Sequence, residues 1–178
     1  MEEKPAIDSL LLVEPYSRID ALIPRGMAEY SDSLSSLSNN IISTAIFDSG
    51  LPVKAITTVV GHPYQEQLDA EYESLKDINP YKLENLYLPS TMHSYLATLP
   101  YRYVILVYSE GFVWSRNVVF LDEDQLRYES HIYLAVADTR SGKIIYFNRS
   151  VPEESNPLNA KLVTKRVGWL LKELKDGK

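Results

Sequence analysis

Three histidines, His62, His93 and His131, are the residues of this chain best suited to metal or acid–base chemistry, and they stand 31 and 38 positions apart. No two have the i+3 or i+4 spacing that sets two imidazoles on one side of a metal. Each reads as a turn or strand residue. A small hydrolase or metal-dependent enzyme built on His93 or His131 would need carboxylates brought alongside by the fold. Glu66, Asp69 and Glu73 share one face of a predicted helix over 64–78, a pattern that could hold a hard cation. No glycine or histidine accompanies them, so a solvated helix face is the expectation. Asp122, Glu123 and Asp124 lack the alternation and central glycine of a calcium loop and read as a turn. The glycines at 26, 50, 61, 111, 142, 168 and 177 are too dispersed for a dinucleotide fingerprint or a P-loop. There is no Gly-x-Ser-x-Gly elbow. Zero cysteines exclude disulfides, a thiol nucleophile and cysteine-based zinc sites. The expectation is a chain with no catalytic residues, no bound metal and no cofactor.

The elements that would position any site belong to an ordinary globular chain. Its 178 residues are 45% apolar and 24% charged, enough for one domain with a core of its own. A net charge of −6 argues against a nucleic-acid partner. The stretch 157–178 nevertheless carries +4, leaving −10 for the rest. Basic residues there complement a helix dipole, or else form a face for anionic lipid or an acidic neighbour. No apolar run reaches the length of a spanning helix. The start lacks a secretory signal, so the protein is either cytoplasmic or a mature form whose signal and lipid-bearing cysteine were removed upstream. Residues 1–8 read as a disordered or trimmed segment and 9–176 as a single domain.

Within that domain, Ser9–Glu14 reads as a buried strand, and Ile19–Tyr30, with Pro24 and Gly26, as a loop. A helix over 31–48 starts at Ser31-Asp-Ser33 and ends at Gly50, packed through small residues. Pro52–Val60 reads as a strand, 64–78 as a helix, and 81–99 as irregular or short helices. Tyr101–Tyr108 is apolar on both faces from Tyr103 on and reads as a central strand. Phe112–Leu121 reads as a further strand. His131–Ala137 and Lys143–Asn148 flank Asp138-Thr-Arg-Ser-Gly142 as a β-hairpin. An amphipathic helix over 157–175 closes the chain, with Leu158, Leu162, Val163, Val167, Leu170, Leu171 and Leu174 inward. Gly168 within it suggests the close approach of another element. The expected fold class is α/β: a mixed β-sheet flanked by three main α-helices.

An exposed strand edge invites a partner strand, and the 112–121 strand is the expected edge. Phe112, Val113, Trp114, Arg116 and Phe120 are the interaction residues this reading selects, with Val118 and Val119 adding apolar surface. Tyrosine supplies 13 residues of the chain, and Tyr101, Tyr103, Tyr108, Tyr133 and Tyr146 lie on or beside predicted strands, suited to faces near a partner.

The hairpin VADTRSGKIIYFNR (136–149) resembles a segment of bacterial envelope lipoproteins related to CsgG. The layout, with LLLVEP (10–15), the 31–48 helix and YRYVILVYSEGF (101–112), is similar to the TolB amino-terminal domain and to lipoprotein activators of peptidoglycan synthases. The resemblance implies a non-enzymatic, periplasm-facing accessory protein with no catalytic residues to carry over, acting through protein contacts or self-association. It implies a membrane link only through a lipid anchor upstream of the chain.

Overall fold

Leu10–Val13 is buried along its whole length because it lies parallel to neighbours on both edges. In a computed structural model of the chain, which describes residues 7–23, 27–114, 128–151 and 156–176, this strand is β1. β2 (Tyr16–Ile23) and β3 (Met27–Tyr30) follow, then α1 (Asp32–Phe47), β4 (Val53–Thr57), α2 (Gln65–Glu73) with a 3-10 turn at Ser74–Asp77, and α3 (Ser90–Leu96). β5 (Tyr103–Trp114), β6 (Glu129–Asp138), β7 (Ile144–Arg149), α4 (Ala160–Leu170) and α5 (Lys172–Lys175) complete it. Among the described residues, seven strands form one sheet, mixed as the sequence predicts.

β5 is the axis. Along one edge β1 and β2 lie end to end, Leu10–Leu12 beside Tyr103–Ile105 and Tyr16–Leu22 beside Tyr108–Trp114, all parallel. Along the other edge β6 runs antiparallel over Tyr103–Phe112, and β7 pairs beyond it. β4 lies parallel outside β1, and β3 antiparallel outside β2. Alternation sends Leu10, Leu12, Ile105, Val107, Leu134 and Val136 toward α1 and α4. Leu11, Val13, Val104, Leu106 and Ala135 face α2 and α3. Each large aliphatic side chain so buried contributes roughly 1.5–3 kcal/mol of hydrophobic transfer.

Several sequence expectations change here. Of the expected loop Ile19–Tyr30, Ile19–Ile23 is the end of β2 and Met27–Tyr30 is β3, with Asp20 opposite Tyr30 and Leu22 opposite Ala28, while Pro24 and Gly26 lie outside the described residues. Its polar residues alternate properly; they hid the strand because one face is not in the core. Nor does a strand begin at Phe112: β5 continues through Ser109, Glu110 and Gly111 to Trp114. Phe112 pairs with Asp20 on one side and Glu129 on the other, so this part of the chain is interior to the sheet and not an edge. Residues 115–127 lie outside the described residues, and with them Arg116, Phe120 and the 122–124 turn. The closing helix is interrupted at Leu171, and Leu162 is 40% exposed, so it does not face inward. Nothing lies within 4 Å of a Cβ added at Gly168, so no close approach explains that glycine.

The hairpin is as expected. Asp138 Oδ1 accepts from the Arg140 and Ser141 amides at 2.9 and 3.3 Å, and Gly142 takes φ +71°. Small residues do seat α1: Ser35 Oγ accepts from the Ile19 amide at 3.0 Å, and Ser17 Oγ donates to Ser38 Oγ at 3.1 Å.

Candidate functional site

Strand register places three tyrosines side by side across the sheet. Tyr16 is opposite Tyr108 and Tyr108 opposite Tyr133, on the face that carries α2. Their rings stack at 6.1 and 5.8 Å, and Tyr72 of α2 closes on Tyr16 at 6.0 Å. Such aromatic pairs across strands add roughly 0.2–1 kcal/mol each. The apolar cluster beneath α2 and α3 ends at this row.

Two polar rows continue the same face. Arg18, Glu110 and His131 are mutually in register, followed by Asp20, Phe112 and Glu129. Glu110 is the hub. Its Oε2 accepts from the Tyr108 hydroxyl at 3.0 Å and its Oε1 from the Tyr133 hydroxyl at 3.1 Å. Burial, then the Glu110 charge, holds both phenols above their usual range, with Tyr133 pushed up to about 12. Arg18 reaches Glu73, the last residue of α2, at 3.3 Å, and burial with the Asp69 and Glu73 charges raises Tyr16. His131 stacks on Tyr133 at 6.2 Å and meets Glu129 at 3.0 Å. Arg18 and Glu129 are exposed, and Asp20, Glu110, Phe112 and His131 are half-buried. Among the described residues, this end of the sheet therefore presents charge around one phenylalanine.

The other face of the same strands is closed. Arg166 of α4 is buried, and its guanidinium donates to Ser130 Oγ, to the Ser130 carbonyl at 2.7 Å and to Ser150 Oγ at 2.6 Å. It belongs to the interior and not to a basic surface, unlike Lys161, Lys165, Lys172 and Lys175, which are exposed.

The histidines do not converge. His93 Nε2 lies 3.1 Å from the Thr139 carbonyl at the end of β6, whereas His131 stands eight residues back along that chain, roughly 25 Å away at strand rise. His62 packs its edge on Tyr95 at 5.0 Å. Among the described residues, no group of three or more His, Asp or Glu side chains is placed to hold a metal ion. The acidic face of α2 is less solvated than expected: Glu66 is exposed, but Asp69 and Glu73 are half-buried, and burial with the Glu73 charge raises Asp69.

Of the interaction residues selected from sequence, Phe112 stands on the open face beside Asp20 and Glu129, while alternation turns Val113 to the opposite face. The backbone of Trp114 pairs with Leu22. Sequence reasoning missed Arg18, Asp20, Glu110 and Glu129. The alternation of Tyr16, Arg18, Asp20 and Leu22 was the available signal.

A scan against protein-family models finds no match, and neither does a search of curated proteins. Among solved structures, lipoprotein GNA1162 from Neisseria meningitidis is similar over 94% of this chain and 98% of its own, at 14% identity and a TM-score of 0.45. The PelC dodecamer from Paraburkholderia phytofirmans covers 94% and 86%, at 10% identity and a TM-score of 0.44. The C-terminal domain of LpoB from Escherichia coli covers 80% of each chain, at 13% identity and a TM-score of 0.35. Likenesses of this size leave function to be argued from the chain's own surface.

Proposed function

We propose that this chain is a non-enzymatic accessory protein of the bacterial cell envelope that works by docking another protein on the open end of its sheet. The carrying observation is the pair of polar rows around Phe112, which continue the sheet beyond the apolar cluster of α2 and α3. Asp20, Glu110 and Glu129 outnumber Arg18 there, which suits a partner surface with basic residues. The envelope placement, the CsgG and TolB relationship and the lipid anchor rest on the hairpin resemblance. Phe112 is the central contact and Trp114, Arg116 and Phe120 are its proposed flanking contacts, while Val113, on the opposite face, is not part of the docking surface. Self-association is the other outcome that the same face allows.

The test places a photo-crosslinking residue at Phe112, and separately at exposed Lys54, in cells of the source organism. A defined adduct from position 112 alone, lost when Asp20→Lys and Glu129→Lys are combined, is the expected result. A partner mass equal to the chain's own identifies self-association. Equal adducts from both positions, or indifference to the charge reversal, would remove the docking face. Recovery of the protein in a soluble cytoplasmic fraction would separately remove the envelope placement.

A further inference from the structure

Away from the open sheet, a groove of about 540 Å³ lies between the segment after β4 and α3. Its size is that of a small-ligand site. Val59, Val60, Gly61 and His62 form a tight turn, with the His62 amide bonded to the Val59 carbonyl at 3.0 Å and Gly61 at φ +80°. The Tyr64 amide donates to His62 Nδ1 at 3.2 Å, which orients the imidazole ring. Tyr95 is anchored through its hydroxyl to the Thr58 carbonyl at 3.2 Å, and His62 sits edge-on to its ring. Tyr64 remains 61% exposed, with its ring 5.8 Å from that of His62.

The opposite wall is α3, which offers Thr91 and Ser94, with Thr98 just beyond its end, at the one-face spacing of a helix. Serine and threonine are poor helix formers, and the short α3 carries Ser90, Thr91 and Ser94. Among the described residues, no Asp, Glu, Lys or Arg lines the groove. The rings of His62 and Tyr64 on one side, with neutral hydroxyls beside the Tyr95 ring on the α3 side, match a ligand with an apolar C–H face and an uncharged hydroxyl rim. A pyranose ring has that composition: its C–H groups meet the negative face of an aromatic ring, and its hydroxyls pair with side-chain hydroxyls and amides.

We propose that this groove binds a neutral carbohydrate chain, with Tyr64 and His62 as the stacking surface and the α3 hydroxyls as the polar rim. The site goes beyond the protein-docking reading and stands without it.

The test titrates isotope-labelled protein with cellohexaose, N-acetylchitohexaose and, as a charged comparison, chondroitin sulfate. Binding of a neutral chain should shift the amide signals of residues 58–67 and 90–98 and few others. Tyr64→Ala should weaken binding about tenfold and Tyr64→Phe should retain it, since the ring face is what stacks. Because Tyr64 is exposed, both variants should melt as the wild type does. Ser94→Trp, which fills the groove from the other wall, should abolish binding and serves if Tyr64→Ala fails to fold. Absence of shifts with the neutral chains at about 10 mM, shifts scattered over the surface, or preference for chondroitin sulfate would each overturn the proposal. Undiminished binding by Tyr64→Ala would do the same.

Discussion

Gly111 sits in the middle of β5, where an ordinary glycine-to-alanine change would add about 0.5–1 kcal/mol by lowering the entropy of the unfolded chain. The structure predicts the reverse sign. A Cβ at Gly111 would fall inside 3.0 Å of the Glu129 backbone carbonyl and 3.2 Å from both Cα and Cβ of Ser130. The neighbour that must give way is backbone, and Ser130 is also gripped by Arg166. Overpacking of this kind costs roughly 1–3 kcal/mol. After the entropic gain, Gly111→Ala should lose up to about 2.5 kcal/mol. For a chain of this size that lowers Tm by up to roughly 10 °C. Gly168 in α4 is the internal comparison, because an added Cβ there meets open space. Gly168→Ala should raise stability by about 0.8–1 kcal/mol, the propensity difference of a helix interior. Thermal melts of the two variants, followed by circular dichroism with urea titrations at fixed temperature, read both signs. Gly111→Ala as stable as the wild type would refute the close approach of β5 and β6, and with it the spacing that sets Glu110 beside His131.

The tyrosine row predicts a pH response. Tyr108 and Tyr133 hold their protons to higher pH in the fold, Tyr133 to about 12, than a free phenol near 10. The stability they contribute is whole below about pH 10 and is lost as pH climbs toward about 12, so urea midpoints should fall across that window. Glu110→Gln should bring phenolate absorbance in at lower pH without restoring ordinary values, because burial is the larger cause. Asp138→Ala, which strips the Arg140 and Ser141 amides and the Arg102 contact at 3.1 Å of their acceptor, should cost about 1–3 kcal/mol in chemical denaturation. Asn159 caps α4 by accepting from the Leu162 amide at 3.1 Å, and Asn159→Ala should cost about 1 kcal/mol by the same measurement.

Where one residue type dictates one local geometry, the sequence was legible. Asp138 and Gly142 announce the hairpin because a carboxylate that folds back on turn amides and a residue free to take positive φ leave few alternatives. The run from Tyr103 to Tyr108 announces a strand with cover on both faces, and Leu10–Val13 does so more briefly. The failures share a cause. Ser109, Glu110 and Gly111 read as a break in β5, and Ile19–Tyr30, with Pro24, Gly26 and no clear apolar period, reads as a loop, because hydrophobic periodicity reports burial rather than strand geometry. Gly168 misled in the other direction: a glycine's reason is visible only from what surrounds it.

The same cause explains why the open face could not be read while its parts could. Tyr16 meets Tyr108 through a parallel pairing, and nothing local to either residue encodes that register. Tyr108 and Tyr133 were recognisable as strand tyrosines suited to a partner surface, yet their common acceptor was not, since Glu110 becomes their partner only when β5 continues past Tyr108. A core strand that carries a glutamate, and a neighbouring strand that carries an arginine and an aspartate on the same face, depart from apolar patterning together. Local rules that fail in concert on adjacent strands mark a place where the sheet was shaped by something other than its own stability. Phe112 stands among those departures, so its substitution by Ser should spare the fold more than substitution of Tyr108, which is fully buried two rows inward. Equal destabilisation by Phe112→Ser and Tyr108→Ser in urea titrations would show that the face is closed and that the docking reading is wrong.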